Sequence, residues 1–487
     1  MTNIIGPLEF AIDLPAKRSG GLLRALHVQL RNAMLDGRLR SGQRLPATRA
    51  FAAAYSISRN TVVAAYDLLL SEGYLTTRPG GGTFVADSLP EPRPVSAQTG
   101  NVAAERRLNP RWRRQRLQRS VKHAAATPMH YDFRLGVPDA SDFRFDIWRR
   151  LSMRTLRHLA DAAGHYADPQ GQPALREAIA SHVSFARAVS CQPDDVVVTA
   201  GAQQAFNLLA RILVRPGRTL AAVEDPGYPP LRNAFAAAGA TLAPVPVDDE
   251  GMLIERLPAC ANIVCVTPSH QFPLGVPMSM QRRAALLDFA RANDAVIVED
   301  DYDSEFRFTA RPLNALQTLD RSASVFYVGT FSKSLFPALR LGFVVTPPWA
   351  RQALVEAKRE ADWHCPATTQ ETLAAFINEG HLARHVRKMR KVYGARRQLL
   401  LDRLQNEFNT RLEIIPSMAG LHLAAHARPA LATVVERARR KGLGIYPLEA
   451  YYSNKNNRQQ LAFGYGAIDE AAIDNGLSLL DSLWPEG

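Results

Sequence analysis

The stretch RLPATRAFAAAYSISRNTVVAAYDLLLSEGYLTTRPGGGTFVA, residues 44–86, decides the fold of the first part of the chain. Its alanine-rich beginning predicts a short helix, and SISRNTVVAAYDLLLSEG predicts a turn and a longer helix with Ser58 as the N-cap. GYLTTRPGGGTFVA then predicts a β-hairpin with Gly80, Gly81 and Gly82 at its tip. The stretch therefore predicts two helices joined by a tight turn and followed by a hairpin.

A further helix is predicted upstream, in GGLLRALHVQLRNAMLDGRL. Leu22, Leu26, Leu30 and Met34 recur every four residues on one face, and Gly37 follows the last turn. Three helices followed by a hairpin are typical of a winged helix-turn-helix, in which the beginning of the third helix faces DNA bases and phosphates.

The beginning of the third helix has the polar residues that DNA contact requires, namely Arg59, Asn60 and Thr61. In the hairpin, Arg78 is placed to reach a groove or the DNA backbone. The apolar positions of the helix are predicted to face the core: Val62, Val63, Tyr66 and Leu69. A three-helix module without a role in DNA binding is the alternative interpretation of this pattern alone.

The charge of the chain also favours a polyanionic partner, because the formal net charge is +13. Residues 88–125 are rich in Pro, Ala and Arg without a sustained apolar period, which is typical of a linker. A solvated tether and a tether that also contacts DNA phosphates both fit this composition. We predict a DNA-binding domain at residues 1–87, a basic linker at 88–125 and a second domain at 126–487.

Several classes of protein are disfavoured by the composition. The sequence contains no run of 18 or more apolar residues, so a membrane span is not expected. The first residues, MTNIIGPLEFAIDLPAKRSG, lack the pattern of a secretory signal. Cys191, Cys260, Cys265 and Cys365 have no CxxC spacing, so we expect reduced thiols, no metal site and a cytoplasmic protein.

From Tyr131 onward, short apolar runs alternate with helical patterns. Five β-branched runs are predicted to be buried parallel strands: VVVTA at 196–200, TLAAVED at 219–225, NIVCVTP at 262–268, AVIVEDD at 295–301 and SVFYVGT at 324–330. The alternation predicts an α/β sheet with right-handed crossovers. Residues from about 350 to 487 are predicted to form a smaller α+β subdomain.

Two of these strands end in groups that suit pyridoxal 5'-phosphate (PLP). Lys333 follows one strand closely, and Asp300 ends another; open α/β sheets bind ligands at such carboxyl ends. PLP requires an amine for its aldehyde and a carboxylate for its ring nitrogen. We predict that Lys333 is the Schiff-base lysine and that Asp300 is the partner of the pyridine nitrogen.

Further groups in the same region complete a PLP site. Tyr302 is a candidate partner of the phenolic oxygen, and Tyr228 is a candidate to lie over the ring. The phosphate is predicted to bind at a helix N-terminus together with polar side chains. Its predicted ligands are Ala202, Gln203, Thr330, Ser332 and Arg340. Each of these residues alone also has a purely structural interpretation, and the prediction depends on their occurrence together.

Residues 20–86 closely resemble the GntR-type winged-helix family. This resemblance implies that Arg49, Ser58, Arg59, Thr61 and Gly82 lie at DNA-contacting positions and that Arg44 contacts a phosphate.

From about Tyr131 to the end, the chain resembles fold-type I aminotransferases. The motifs YADPQGQPALREAIA, TAGAQQA, EDPGYP, EDDYDSEFR and GTFSKSLFPALRLG occur in that group's order. The resemblance implies the cofactor roles given above, and it implies that Tyr166 reaches the PLP phosphate of a partner subunit in a homodimer. The whole combination resembles the MocR-like subfamily of GntR regulators.

Two positions depart from the aminotransferase pattern. In TPSHQFPLG, Phe272 stands where those enzymes carry an asparagine. Around RQQLAFGYG there is no arginine at the place where the enzymes grip a substrate carboxylate, because Arg458 is offset. A bidentate clamp on an α-carboxylate is therefore not expected.

The sequence thus predicts a PLP-dependent transcriptional regulator with little or no enzymatic turnover. Its expected partners are an operator with paired half-sites in double-stranded DNA and an effector that is PLP itself or an amine. A working aminotransferase with an accessory DNA-binding domain is one alternative. A DNA-binding protein whose PLP pocket has lost its function is another.

Overall fold

The structure is a computed structural model that describes residues 8, 10, 12–15, 21–87, 129–162, 165–308, 314–428, 431–453 and 459–484. The chain divides into two units, Met1–Arg116 and Leu117–Gly487. The predicted linker, residues 88–125, lies outside the described residues. Its conformation, its contact with DNA and the predicted domain limits stay predictions.

The described residues of the first unit form three helices and a two-stranded antiparallel sheet. Its elements are α1 (Leu22–Leu35), α2 (Thr48–Ala54), α3 (Arg59–Ser71), β1 (Leu75–Arg78) and β2 (Gly82–Val85). The core lies between the three helices, with Leu26, Leu30 and Phe51 among its fully buried side chains. The predicted winged helix-turn-helix is confirmed.

Two local expectations for this unit were wrong. Val63 is only partly buried, because the buried face of α3 passes through Val62 and Ala65, which are three residues apart. Gly82 is the first residue of β2 and pairs with Arg78, so it does not lie at the tip of the hairpin. The turn is formed by the three residues between them.

The second unit contains two larger sheets with helices packed against them. Its elements, in chain order, are β3 (Tyr131–Asp132), α4 (Phe145–Ala162), α5 (Pro173–Arg187), β4 (Val196–Thr199), α6 (Ala202–Leu213), β5 (Leu220–Asp225), α7 (Pro229–Ala238), β6 (Thr241–Asp248), β7 (Gly251–Met252), β8 (Ile263–Val266), α8 (Met280–Asn293), β9 (Val296–Asp301), β10 (Val325–Thr330), β11 (Gly342–Val345), α9 (Arg351–Asp362), α10 (Ala367–Asn378), α11 (His381–Glu407), β12 (Leu412–Ile414), β13 (His422–Ala427), α12 (Leu431–Arg440), β14 (Leu443–Gly444), β15 (Tyr446–Pro447), β16 (Gln460–Gly464) and α13 (Glu470–Leu483).

The larger sheet has eight strands in the order β4-β11-β10-β9-β8-β5-β6-β7. All five predicted strands are present, and the neighbours β10-β9, β9-β8, β8-β5 and β5-β6 are parallel. Apolar side chains on both faces of the sheet are buried, which explains the unbroken apolar runs. The carboxyl ends of these parallel strands therefore meet at one edge of the sheet.

The sheet is mixed rather than wholly parallel, because β11 is antiparallel to both β10 and β4. β11 was not among the strands predicted from the sequence. The connection between Thr330 and Gly342 is too short for the crossover that a parallel strand requires, so the chain returns in the opposite direction. This return path carries Lys333 and Arg340 over the edge of the sheet.

The smaller sheet has four strands in the order β12-β13-β16-β15, and its core includes side chains of α11 and α13. Phe133 is fully buried in this core, and β3 pairs with β14. The segment 131–134 thus joins the C-terminal subdomain despite its distance in sequence. None of the helices in the described residues combines the length and hydropathy that a membrane span requires.

Candidate DNA-binding and cofactor sites

The beginning of α3 is exposed, as a recognition helix requires. The hydroxyl of Ser58 accepts a hydrogen bond from the backbone N–H of Asn60 at 3.2 Å, which caps the helix. Ser58, Arg59 and Asn60 are exposed, whereas Thr61 is partly buried. The polar residues predicted to contact DNA therefore lie together at the accessible N-terminal end of α3.

Four exposed arginines of this unit have no carboxylate partner among the described residues: Arg44, Arg49, Arg59 and Arg78. The ion pairs of the described part of this unit are His27–Glu72 and Arg38–Asp36 instead. The four arginines can therefore bind phosphates without first breaking an internal ion pair.

Two of these arginines lie on or beside the hairpin formed by β1 and β2. The guanidinium of Arg78 lies 4.6 Å from the centre of the Phe84 ring, in a cation–π arrangement. Arg44 pairs with Phe84 through an isolated β-bridge, and its side chain lies beside Gly82. A side chain at position 82 would contact the Arg44 guanidinium, so a glycine here keeps this arginine in place.

In the second unit, β9 ends in three acidic residues, and these acids differ in whether the protein itself supplies their partners. Successive side chains of a strand point to opposite faces. Glu299 accepts hydrogen bonds from the backbone N–H groups of Leu316 and Gln317. On the same face, Asp301 lies 2.7 Å from the Arg187 guanidinium. These two acids are thus used within the protein.

Asp300 points to the other face and is only 3 % exposed. Its Oδ1 atom is buried and has no hydrogen-bond partner among the described residues. Burial raises the pKa of this carboxyl well above its usual range, Asp301 raises it further, and Lys333 opposes the shift. A buried carboxylate oxygen without a partner is costly, so this position is suited to a cationic ligand atom.

Lys333 lies on the segment that connects β10 to β11. Its Nζ atom donates a hydrogen bond to the carbonyl oxygen of Gly136 at 2.5 Å. Burial lowers the pKa of this amine; Asp303 and Asp300 oppose the shift, and Arg340 adds to it. A larger fraction of the amine is therefore in the neutral, nucleophilic form than for an exposed lysine.

Three aromatic side chains lie around this region. Burial, with Asp300 adding, raises the pKa of Tyr228 to about 12, so its hydroxyl is neutral. The ring of Phe272 makes edge contacts with the rings of Tyr228 and Tyr302, at 5.3 and 5.8 Å between centroids. Phe272 therefore fills an apolar position between the two tyrosines that were predicted to contact PLP.

The predicted phosphate ligands surround the N-terminus of α6. Ala202 and Gln203 are its first two residues, and Gly201 is its N-cap with φ 77°. The Arg340 guanidinium donates to the carbonyl oxygen of Ala200 at 2.8 Å. An open cleft of about 370 Å³ is lined by Gln203 and Arg340, among others. Free N–H groups at a helix end and an arginine are a suitable combination for a phosphate.

Thr330 and Ser332 form the other side of this region. Both are buried, and their hydroxyl oxygens lie 3.1 Å apart. The backbone N–H of Ser332 donates to the Thr330 hydroxyl at 3.2 Å, which fixes the turn that precedes Lys333.

Tyr166 is the predicted ligand that does not join the others. Its side chain is 79 % exposed, and its ring packs against Trp363 with 5.0 Å between centroids. The role predicted for Tyr166 concerns a second subunit, and it stays a prediction.

Comparison with known proteins assigns each unit to a family. Residues 24–85 match the model of bacterial regulatory proteins of the gntR family, and residues 136–458 match that of aminotransferase class I and II. The probable rhizopine catabolism regulatory protein MocR of Rhizobium meliloti is 37 % identical, over 94 % of this chain and 93 % of its own. The chain belongs to the MocR-like GntR regulators.

Other relatives agree with this assignment. The pyridoxine biosynthesis transcriptional regulator PdxR of Corynebacterium glutamicum is 32 % identical, over 91 % of this chain and 92 % of its own. The crystal structure of Pyrococcus horikoshii kynurenine aminotransferase superimposes with a TM-score of 0.72, over 79 % of this chain and 98 % of the aminotransferase chain. The two sequences are 27 % identical. The second unit of this MocR-like regulator thus has the fold-type I aminotransferase fold.

Several buried polar groups near the predicted PLP site were not predicted from the sequence. His270, Asp303 and His422 form a buried cluster beside Tyr302. Glu224 is also buried and accepts hydrogen bonds from Thr267, and burial raises its pKa to about 7. His270 and Asp303 lie inside the motifs TPSHQFPLG and EDDYDSEF, so both residues belong to stretches already linked to the PLP site. Their contact with each other could not be predicted from either motif alone. The position of Arg458 lies outside the described residues.

Proposed function

We propose that this chain is a transcriptional regulator that binds DNA through its first unit and PLP through its second, and that acts in the cytoplasm. The observation that carries the proposal is the Asp300 Oδ1 atom near Lys333, which has no hydrogen-bond partner in the described part of the chain. The other unit presents the exposed beginning of α3. The PLP site would serve to sense PLP or an amine, because the same chain carries a DNA-binding domain.

PLP fits the described residues. The protonated ring nitrogen would supply the partner that the Asp300 Oδ1 atom lacks. The phosphate would bind at the N-terminus of α6, with Arg340 and the hydroxyls of Thr330 and Ser332. When bound, PLP supplies an aldehyde that bonds covalently to primary amines and a ring that withdraws electrons from them.

The chain's own groups prepare this chemistry. Lys333 contributes the amine, and its lowered pKa favours the neutral form that reacts with an aldehyde. Tyr302 contributes a hydroxyl whose pKa is raised, mainly by burial and further by Asp303 and Asp300, so that it keeps its hydrogen. A neutral phenol next to the phenolic oxygen of PLP would donate a hydrogen bond to it.

We propose further that the regulator acts as a homodimer on paired half-sites. The exposed ring of Tyr166 supports this, because a partner's PLP phosphate is the role that the family resemblance gives it. A dimer with two winged helices would bind two half-sites as direct or inverted repeats. Light scattering should give twice the chain mass of 53.7 kDa, and a monomer that still binds the paired sites would contradict this arrangement.

A working aminotransferase is the second candidate function, because Lys333 and Asp300 are both retained. Phe272 disfavours it, since an apolar ring stands where the enzymes have an asparagine amide and makes apolar contacts with its neighbours. A phenylalanine ring cannot make the hydrogen bonds that an asparagine amide makes.

One pair of assays separates the two functions. A duplex selected by the full-length protein from a random-sequence DNA pool provides a specific ligand, and a panel of amino donors and keto acids tests for turnover. We expect sequence-specific binding that weakens with salt, together with turnover far below about 1 per second. Sustained turnover at enzyme rates without selection of any DNA sequence would contradict the proposal.

A further inference from the structure

Beside Tyr302 lies a buried histidine that the proposed function does not use. His270 is 2 % exposed, and both of its ring nitrogens have partners. Its Nδ1 atom lies 3.1 and 3.2 Å from the two carboxylate oxygens of Asp303 and 2.8 Å from the hydroxyl oxygen of Tyr302. Its Nε2 atom lies 3.2 Å from the hydroxyl oxygen of Ser417.

The backbone around His270 forms a slot for this ring. Gly420 has φ 86°, and a Cβ atom there would lie 1.9 Å from Cε1 of His270. Gly275 has φ 85°, and a Cβ atom there would lie 3.1 Å from Nε2. Only glycine permits the imidazole to occupy this place, so the position of the ring is fixed by the fold.

The hydrogen bonds determine where the hydrogens lie. The Ser417 hydroxyl donates to the carbonyl oxygen of Ala419 at 3.1 Å and lies 3.2 Å from Nε2 of His270. The Asp303 carboxylate accepts from Nδ1. Because Nδ1 carries the hydrogen that the Asp303 carboxylate accepts, Nδ1 cannot accept one from Tyr302. The hydroxyl hydrogen of Tyr302 remains available for another acceptor.

We propose that His270, held by Asp303, is a positioning residue that keeps Tyr302 as a hydrogen-bond donor to the phenolic oxygen of PLP. This inference rests on the proposed PLP site. If Nδ1 were an acceptor, it would take the Tyr302 hydrogen at 2.8 Å. The Asp303 carboxylate prevents this by binding the Nδ1 hydrogen itself.

Other charged groups face the same region and must be considered in any titration. Asp300, Asp301 and Glu224 act on Tyr302 through their charge. His422 lies against His270 with 4.9 Å between ring centroids, and its Nε2 atom lies 2.9 Å from the carbonyl oxygen of Pro273. Burial lowers the pKa of His422 to about 3, so it stays neutral through the neutral pH range.

The test is an absorbance titration with pH of the PLP-loaded, full-length protein. A hydrogen bond from Tyr302 stabilises the deprotonated form of the Lys333-linked chromophore. H270L removes the donor that occupies the Asp303 carboxylate, which then competes for the Tyr302 hydrogen. We therefore expect H270L to raise the apparent pKa of the colour change by about one unit or more. Y302F should raise it similarly, and H270L added to Y302F should change it no further.

Two additional variants distinguish this role from a structural one. D303N keeps the side-chain volume but weakens the hold on Nδ1, so it should shift the titration in the same direction. H422Q alters the same buried cluster without contacting Tyr302, so the titration should stay within about 0.3 units of the wild type.

The contradicting results are distinct. A wild type that takes up no PLP would overturn the proposed function and this inference with it. PLP uptake with an unshifted titration in H270L and D303N, or a shift that adds fully to that of Y302F, would overturn the inference alone. So would a stoichiometric divalent metal in the wild type that H270L removes, because His270, Asp303 and His422 would then be its ligands.

Discussion

At the residue scale, neighbouring acids of one strand have opposite roles. Burial alone would raise the pKa of Asp301, but Arg187 and the hydroxyls of Tyr327 and Ser304 outweigh it and lower this pKa. Asp300 has no such partners, and its pKa is raised. The difference follows from the alternation of side chains along β9, which turns one acid toward Arg187 and the other toward the proposed PLP site.

Asp300→Asn should therefore weaken PLP binding without weakening the fold. The loss of a hydrogen bond between charged groups predicts an affinity at least about tenfold lower, measured by equilibrium dialysis with PLP. Because the folded-state pKa of Asp300 is raised, its ionisation destabilises the cofactor-free protein at neutral pH. D300N without PLP should be more stable than the wild type at pH 7, and this gain should disappear below about pH 4.

Asp301→Asn is the matched control on the adjacent residue. It breaks the buried ion pair with Arg187, so it should lower the free energy of unfolding by about 3–5 kcal/mol. Equal effects of the two substitutions on PLP affinity and stability would contradict the separate roles of these acids.

Arg59→Ala should reduce affinity for the selected DNA duplex by about 10- to 100-fold, because it removes an exposed guanidinium from the recognition helix. Fluorescence anisotropy measures the affinity, and PLP absorbance should be unchanged. Arg24→Ala, an exposed arginine on α1, is the control and should have little effect. An unaltered affinity of the Arg59 variant would refute the placement of the recognition helix.

At the element scale, the end of β10, the N-terminus of α6 and the return into β11 form the predicted phosphate site. Gly201 caps α6 with φ 77°, and a Cβ atom there would lie 2.9 Å from the Arg340 guanidinium. The glycine is thus required both by its backbone conformation and by the proximity of the arginine.

Gly201→Ala should lower both stability and PLP affinity, whereas Gly217→Ala should lower stability alone. Gly217 also has positive φ, at 73°, but nothing lies within 4 Å of its Cβ position. Each alanine should cost about 1 kcal/mol in urea unfolding. Equal PLP affinities of the two variants, measured by absorbance, would show that the Arg340 contact does not matter for phosphate binding.

The strands and motifs at this scale were predictable from the sequence, because buried parallel strands have unbroken apolar runs that end in polar residues. The antiparallel strand β11 was not, since its direction depends on the length of the preceding connection. The pairing of His270 with Asp303 spans 33 residues and depends on how two loops meet. Local patterns do not determine such contacts, whereas the Ser58 N-cap could be predicted from its immediate neighbours.

At the scale of the whole molecule, the central claim is that PLP chemistry in one unit changes DNA binding by the other. The coupling free energy of such systems is about 1–3 kcal/mol, which corresponds to a 5- to 150-fold change in DNA affinity. Lys333→Ala removes the amine proposed to bond to PLP, so it should reduce this change while the fold is retained.

The decisive measurement is the affinity of the full-length protein for its selected DNA duplex, by fluorescence anisotropy at fixed salt, with and without saturating PLP and then with a panel of amines. We predict at least about a fivefold change for the wild type upon addition of PLP or of an amine, and little change for K333A. A wild-type affinity that is the same in every condition, although PLP is bound, would contradict the account.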